Sequence, residues 1–448
     1  MHRFIVVGGG AGGLELATRL GDRYGGRGAG EARALVTLVD RYPTHIWKPL
    51  LHEVAAGSLD PFTQELEYPA QARWHGFEFQ QGELAGIDRA AKRITIAPVI
   101  DADGAEILPR RELQYDTLVI AIGSTTHFFG VNGAAEHSIA LDTVAQADRF
   151  RKRLIAACMR AEHQPHETVE SGPGTSPETE PRIQVAIVGG GATGVELSAE
   201  LRNTAQVLSA YGLHKLDPRN DIGIVLIEAG PRILPALQER VSSATADLLR
   251  KLGVKLMIGE TVAEVAPGIV RTASGKVVRA DLTVWAAGIK APPVLGQLDG
   301  LTVNRLGQLS VRRTLQTEVD DDIFALGDCA ACPWPGNERN VPPRAQAAHQ
   351  QASFLLKALS KRLEGKPLPE FTYRDFGSLV SLGHFSAVGN LMGGLIGGSM
   401  LIEGLFARFM YMSLYRLHVA ALHGYPRMML DTVAHWLRRT TLPRVKLH

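Results

Sequence analysis

Phe4-Ile5-Val6-Val7-Gly8-Gly9-Gly10-Ala11-Gly12-Gly13-Leu14-Glu15-Leu16-Ala17 opens the chain. Val185-Ala186-Ile187-Val188-Gly189-Gly190-Gly191-Ala192-Thr193-Gly194-Val195-Glu196-Leu197-Ser198 repeats its pattern further on. Each copy is a short continuous apolar run, a glycine turn and a helix-like segment. The runs are too short for a helix and too uniformly apolar for a half-exposed strand, so they predict strands buried on both faces. Each copy is followed by a second apolar strand that ends in an acid, Leu35–Val39 at Asp40 and Ile222–Ile227 at Glu228. Strand, G-x-G-x-x-G turn, helix and acid together make a dinucleotide-binding unit. Two such units predict an α/β protein with two Rossmann-like domains.

The residue types fit this chemistry. Gly8 and Gly189 permit a tight turn, Gly10 and Gly191 let backbone approach a pyrophosphate, and Gly13 and Gly194 let helix pack on strand. The helix N-terminus beyond Ala11 and Gly12 offers N–H donors to phosphate oxygens. Asp40 is placed to accept hydrogen bonds from an adenosine ribose. One unit is read as an FAD site and the other as a nicotinamide site. Glu228 pairs with a free 2′-hydroxyl and repels a 2′-phosphate, so NADH is expected over NADPH.

Outward from these units, Ile323–Leu326 leads into Gly327-Asp328, where a carboxylate can meet the ribityl hydroxyls of a flavin. Pro342-Pro343 introduces a helix over roughly 344–363, whose N-terminus would favour negative charge on a reduced flavin. A helix is expected near 144–161, a polar linker at 163–181, a meander within 259–284, and surface insertions at 21–34 and 211–221. Cys329 and Cys332 form a C-x-x-C pair. With only three cysteines in the chain, a disulfide framework is excluded and a structural role is expected for the pair. No histidine has metal-ligand spacing, so no metal is expected.

The 448 residues are 45% apolar and 21% charged, with net charge +2. Disorder and whole-chain nucleic-acid binding are excluded. From Glu403 to His448, seven Lys/Arg against two acids give +5, leaving −3 elsewhere. In 428–439 the apolar Met429, Leu430, Val433, Trp436 and Leu437 share one helical face, opposite Asp431, His435, Arg438 and Arg439. Phe406, Met410, Leu414, Leu417 and Ala421 follow helical spacing upstream, with Arg408 and Arg416 among them. Phe376 to Ile402 lacks any charge but contains seven glycines and four serines, which argues against a transmembrane span. No signal peptide is expected ahead of the first strand.

The chain resembles the bacterial type II NADH:quinone oxidoreductases, the non-proton-pumping respiratory NADH dehydrogenases. The resemblance covers nearly its whole length. It is carried by IVVGGGAGGLELA, TLVDRYPTHIWKPLLHEVAAGSLD, VAIVGGGATGVELSAEL, VWAAGIKAP, FALGDCA, VPPRAQAAHQQA and EGLFARFMYMSLYRLHVAALHGY. WKPLLHEVA and the A-Q-x-A-x-Q segment are the specific parts. The resemblance implies FAD in the first unit, held also by Lys48, Gly123 and Ala345, and NADH in the second. It implies quinone beside Gln346 and Gln350, and Glu196 near the nicotinamide. The expected domains are 1–150 and 295–380 for FAD, 151–294 for NADH, and 381–448 for membrane association. The C-terminal amphipathic helices would then lie on the cytoplasmic face of the bacterial inner membrane as a peripheral anchor, or form a homodimer interface. The alternative is a soluble NADH-dependent flavoprotein reductase of a protein electron carrier.

Overall fold

A computed structural model describes residues 1–26, 32–163, 180–210, 215–382, 386–393, 398–403 and 415–438. Most of the 163–181 linker lies outside these residues, as do 27–31 and 211–214 of the two insertions and Phe406, Arg408, Met410, Leu414 and Arg439.

Both apolar runs form the central strands of parallel five-stranded sheets. In the first sheet the order is Ile323–Ala325, Thr117–Ile120, His2–Val7, Ala34–Asp40, Glu78–Gln81. In the second it is Ile139–Ala140, Leu282–Trp285, Ile183–Val188, Ile222–Glu228, Val254–Ile258. The registers match as well: Val7 pairs with Val39 and Val188 with Ile227. Phe4 to Val7 and Val185 to Val188 are buried, as strands covered on both faces must be. Fold class is therefore as the repeat predicts. The second sheet draws an edge strand from Ile139–Ala140, ahead of residue 151, and the helix Val144–His163 packs into the same core through Phe150 and Leu154.

The helices Ala11–Tyr24 and Ala345–Leu363 cover the first sheet side by side, tied by Arg19 to Ser353 at 2.8 Å and Tyr24 to Ser360 at 2.7 Å. One expectation fails here. Gly21 does not begin a surface insertion; it lies in the helix Ala11–Tyr24. A Cβ at Gly21 would stand 2.3 Å from the His75 carbonyl oxygen, so this glycine serves a backbone crossing that spacing alone cannot reveal.

The two units are joined by a ribbon in which Thr125–Thr126 pairs antiparallel with Ile289–Lys290. The meander expected in the second unit is present as Val262–Ala266, Ile269–Thr272 and Val277–Arg279. The charge-free stretch forms three antiparallel strands, Gly377–Leu382, Ser386–Gly393 and Gly398–Glu403. Among the described residues no helix is long and apolar enough to cross a membrane. Residues 415–423 are helical, and a further helix runs from Tyr425 to Arg438. Tyr425, Met429, Leu430, Val433 and Leu437 are exposed on it.

Candidate functional site: two glycine cradles on one cavity

The carboxyl ends of both sheets open onto one cavity of about 2040 Å3. Ligands of open α/β sheets bind at such strand ends. The glycines of each turn divide into two kinds. Gly8 has φ +103°, and a Cβ there would stand 2.4 Å from the Ala121 carbonyl oxygen; one on Gly13 would stand 1.9 Å from the Gly8 oxygen. Gly189 (φ +110°) and Gly194 are confined in the same way, the latter at 2.0 Å from the Gly189 oxygen. Gly10 and Gly191 differ: both line the cavity, and no protein atom lies within 4 Å of an added Cβ. Protein packing does not require glycine at these two positions. A ligand phosphate pressed against backbone does. The residues present thus fit a dinucleotide in each turn.

Each second-strand acid braces its own turn. Asp40 accepts from Gly9 N at 2.6 Å and Tyr42 N at 2.9 Å. Glu228 accepts from Gly190 N and Gly230 N, both at 2.6 Å. Burial pushes the Asp40 carboxyl up, and its two backbone bonds oppose this. Ala11 and Gly12 begin the first helix on the cavity wall, whereas Gly13, Gly189, Gly194 and Glu228 stand behind it.

Deeper in, Lys48 donates to the Ser124 carbonyl at 3.0 Å, and Ser124 Oγ donates to Asp328 at 2.8 Å. Burial raises the Asp328 carboxyl, opposed by that hydroxyl and by the Lys48 charge. Gly123, at φ +69°, opens on the cavity beside them. Gln351 takes Gly327 N at 2.7 Å and Gln308 donates to the Asp328 carbonyl at 2.9 Å. Ala345 starts its helix on the same wall, with the extended Arg344 before it.

Gln346 and Gln350 reach the cavity together. Gln346 donates to the Gly377 carbonyl at 2.8 Å, and Gln350 both donates to and accepts from the Arg374 backbone, at 2.8 and 3.0 Å. The two amides thus clamp 374–377 against the helix. Glu196 also lines the cavity, on the helix Ala192–Ala210, buried, with Oε2 3.6 Å from His52 Nδ1. Burial lowers His52 to about 4, with Glu200 opposing.

Sequence reasoning missed several groups. His45 Nδ1 and Tyr68 Oη both meet the Gly9 carbonyl, at 2.8 and 2.7 Å. A carbonyl only accepts, so His45 Nδ1 carries its hydrogen and Nε2 accepts from His418 Nε2 at 3.0 Å. Trp47 packs against His418 with the ring centroids 4.2 Å apart and the planes tilted by 36°. The helix 415–423 is thereby fastened beside the first turn. His45 and His418 are 373 residues apart, and no local signal joins them. Ser124 and Gln351 adjoin Gly123 and Gln350 in sequence, and only the fold shows their bonds. Cys329 and Cys332 are fully buried and off the cavity, and burial pushes both thiols up to about 12. A buried, protonated thiol is inert.

Comparison with known proteins identifies the family. Residues 2–352 match the profile of the pyridine nucleotide-disulphide oxidoreductase family. The chain is similar to the type II NADH:quinone oxidoreductase of Haemophilus influenzae, 44% identical over 450 residues and covering 100% of both chains. It is 29% identical to that of Staphylococcus saprophyticus, over 87% of this chain and 90% of the relative. Its fold is similar to that of NDH2 from Plasmodium falciparum in complex with NADH, with a TM-score of 0.79 at 18% identity over 100% and 99% of the two chains. The sulfide:quinone oxidoreductase of Aquifex aeolicus follows at a TM-score of 0.70 and 18% identity, over 95% and 92%. On its family profile and its full-length identity, this chain belongs to the pyridine nucleotide-disulphide oxidoreductases and, within them, to the type II NADH:quinone oxidoreductases.

Proposed function

We propose that this chain oxidises NADH and reduces a membrane quinone to quinol, with FAD as the bound carrier and without proton pumping. The observation that carries this reading is the single cavity. It joins both open glycine cradles, at Gly10 and Gly191, to the wall formed by Gln346 and Gln350. When bound, FAD supplies the two-electron chemistry between a hydride donor and a quinone.

The chain's own residues bind and orient. The Gly8–Gly13 turn and its helix N-terminus receive the FAD pyrophosphate, and Asp40 takes the ribose. Ser124 and Asp328 face the ribityl hydroxyls, with Lys48 and Gly123 beside the ring. The N-terminus at Ala345 places positive dipole there. The Gly189–Gly194 turn receives NADH, Glu228 selects the unphosphorylated ribose, and Glu196 borders the nicotinamide. Gln346 and Gln350 hold the acceptor wall in place.

A lipid-soluble acceptor requires access to the bilayer. The exposed apolar side chains of Tyr425–Arg438 and the +5 of 403–448 suit an anionic membrane surface. The reading is a peripheral protein on the cytoplasmic face of the bacterial inner membrane, anchored by residues within 381–448.

The test is NADH oxidation in reconstituted membranes with a short-chain quinone, beside NADPH and ferricyanide. Quinone-dependent turnover with NADH and little with NADPH supports the reading. Turnover with ferricyanide and none with any quinone moves the acceptor to a protein partner.

A further inference from the structure

The overall reaction leaves one proton to be supplied from outside its two substrates. NADH delivers a hydride, which is two electrons and one proton. A quinol carries two electrons and two protons.

His349 stands between Gln346 and Gln350 in sequence and lines the cavity. Its Nδ1 lies 2.5 Å from Glu15 Oε2. Glu15 comes from the neighbouring helix Ala11–Tyr24 and has no solvent exposure. A carboxylate only accepts, so Nδ1 keeps its hydrogen and Nε2 is the nitrogen left to exchange a proton. The imidazole is 45% exposed, which lets it reload from water.

Glu15 does not depend on His349 for its counter-charge. Its Oε1 takes Arg19 at 3.0 Å and Ser353 Oγ at 3.3 Å. The imidazole can therefore alternate between neutral and cationic without stranding a buried carboxylate. Glu15 and Arg19 face it from one helix. From 415–423, His418 is close enough to sense its charge; His418 is itself buried and bonded to His45. The electron chemistry uses none of these groups.

We propose that His349, oriented by Glu15, is the general acid that gives the quinone its second proton. The proposal rests on the quinone reading above. In the step, two electrons and the hydride-derived proton reach the quinone from NADH by way of the carrier. The His349 Nε2–H bond breaks and an O–H bond forms on a quinone oxygen. The neutral imidazole then takes a proton from water.

The experiment uses FAD-loaded wild type and His349→Gln, reduced anaerobically with NADH. Each is mixed in a stopped-flow instrument with a short-chain quinone or with ferricyanide, which takes electrons and no proton. Reoxidation by quinone is expected to slow about 100-fold, the usual reach of one general acid. The wild-type loss of rate with rising pH should vanish in the variant. Reoxidation by ferricyanide, and quinone affinity read by tryptophan quenching, should not change. Added imidazole should restore rate to His349→Gly. An unslowed quinone reaction that keeps its pH dependence overturns the proposal. Equal slowing with both acceptors also overturns it, because ferricyanide needs no proton. Wild type that reduces ferricyanide and no quinone overturns the underlying reading instead, and the two failures are distinct.

Discussion

Glu228 holds the backbone N–H of Gly190 at 2.6 Å, the same bond that joins Asp40 to Gly9 in the first unit. The second Glu228 oxygen is held by Gly230 N. Two N–H donors fix the carboxylate at the strand end behind Gly191; on the proposed reading, a 2′-phosphate held in that turn is repelled by this fixed negative charge. Glu228→Gln should lower the NADH-over-NADPH ratio of kcat/KM at least about tenfold, or about 1.4 kcal/mol. An unchanged ratio would remove Glu228 from coenzyme selection.

The two kinds of glycine should fail differently. Gly191→Ala meets no protein atom, so the variant should fold, retain FAD and melt like wild type, while its KM for NADH rises. Gly13→Ala drives a methyl to 1.9 Å from a carbonyl oxygen, and should not yield a folded, FAD-containing protein. Flavin absorbance and thermal melts separate the two. If Gly191→Ala binds NADH normally, the second cradle is not where the coenzyme lies.

Acid should loosen the first turn through His45. Burial holds this imidazole neutral, with its ionisation lowered from 6.5 to about 4. An unfolded chain takes up the proton below 6.5 and the folded one does not. Stability therefore falls as pH drops from 6.5 toward 4, by at most about 1.4 kcal/mol per pH unit for this group. His45→Asn should flatten part of that fall. Melting temperature and FAD release against pH are the measurements. A variant with the wild-type slope would assign the acid sensitivity elsewhere.

Deletion from Met428 removes Met429, Leu430, Val433 and Leu437, all exposed, and leaves 415–423 against His45. The truncated protein should move to the soluble fraction with FAD still bound. Retention in the membrane fraction would show that another part of the chain is the main anchor.

Local chemistry explains which features the sequence exposed. The glycine turns and the acids at Asp40 and Glu228 were legible because each unit is contiguous and repeats. The helix Ala345–Leu363 was legible from Pro342-Pro343. Gly21 was misread because a glycine in a loop and a glycine beneath a backbone crossing look alike until His75 is placed next to it. The three strands after Phe376 were not foreseen, since a charge-free, glycine-rich run has no decisive period. His45 with His418, and Glu15 with His349, were invisible as pairs because tertiary packing alone brings them together.

The ribbon of Thr125–Thr126 with Ile289–Lys290 means that the chain departs from the first unit and comes back to it at adjoining points. The segment between carries its own parallel sheet, but its core is completed by Leu51, Val54, Ala55 and Ala56 from before the stem and by Val380 and Leu382 from after it. A cassette cut at that stem therefore has to be matched to the 51–56 helix and the 377–382 strand that close its core. On the proposed reading, exchange of this segment with a relative's would carry coenzyme preference with it only if those flanking core residues are exchanged as well.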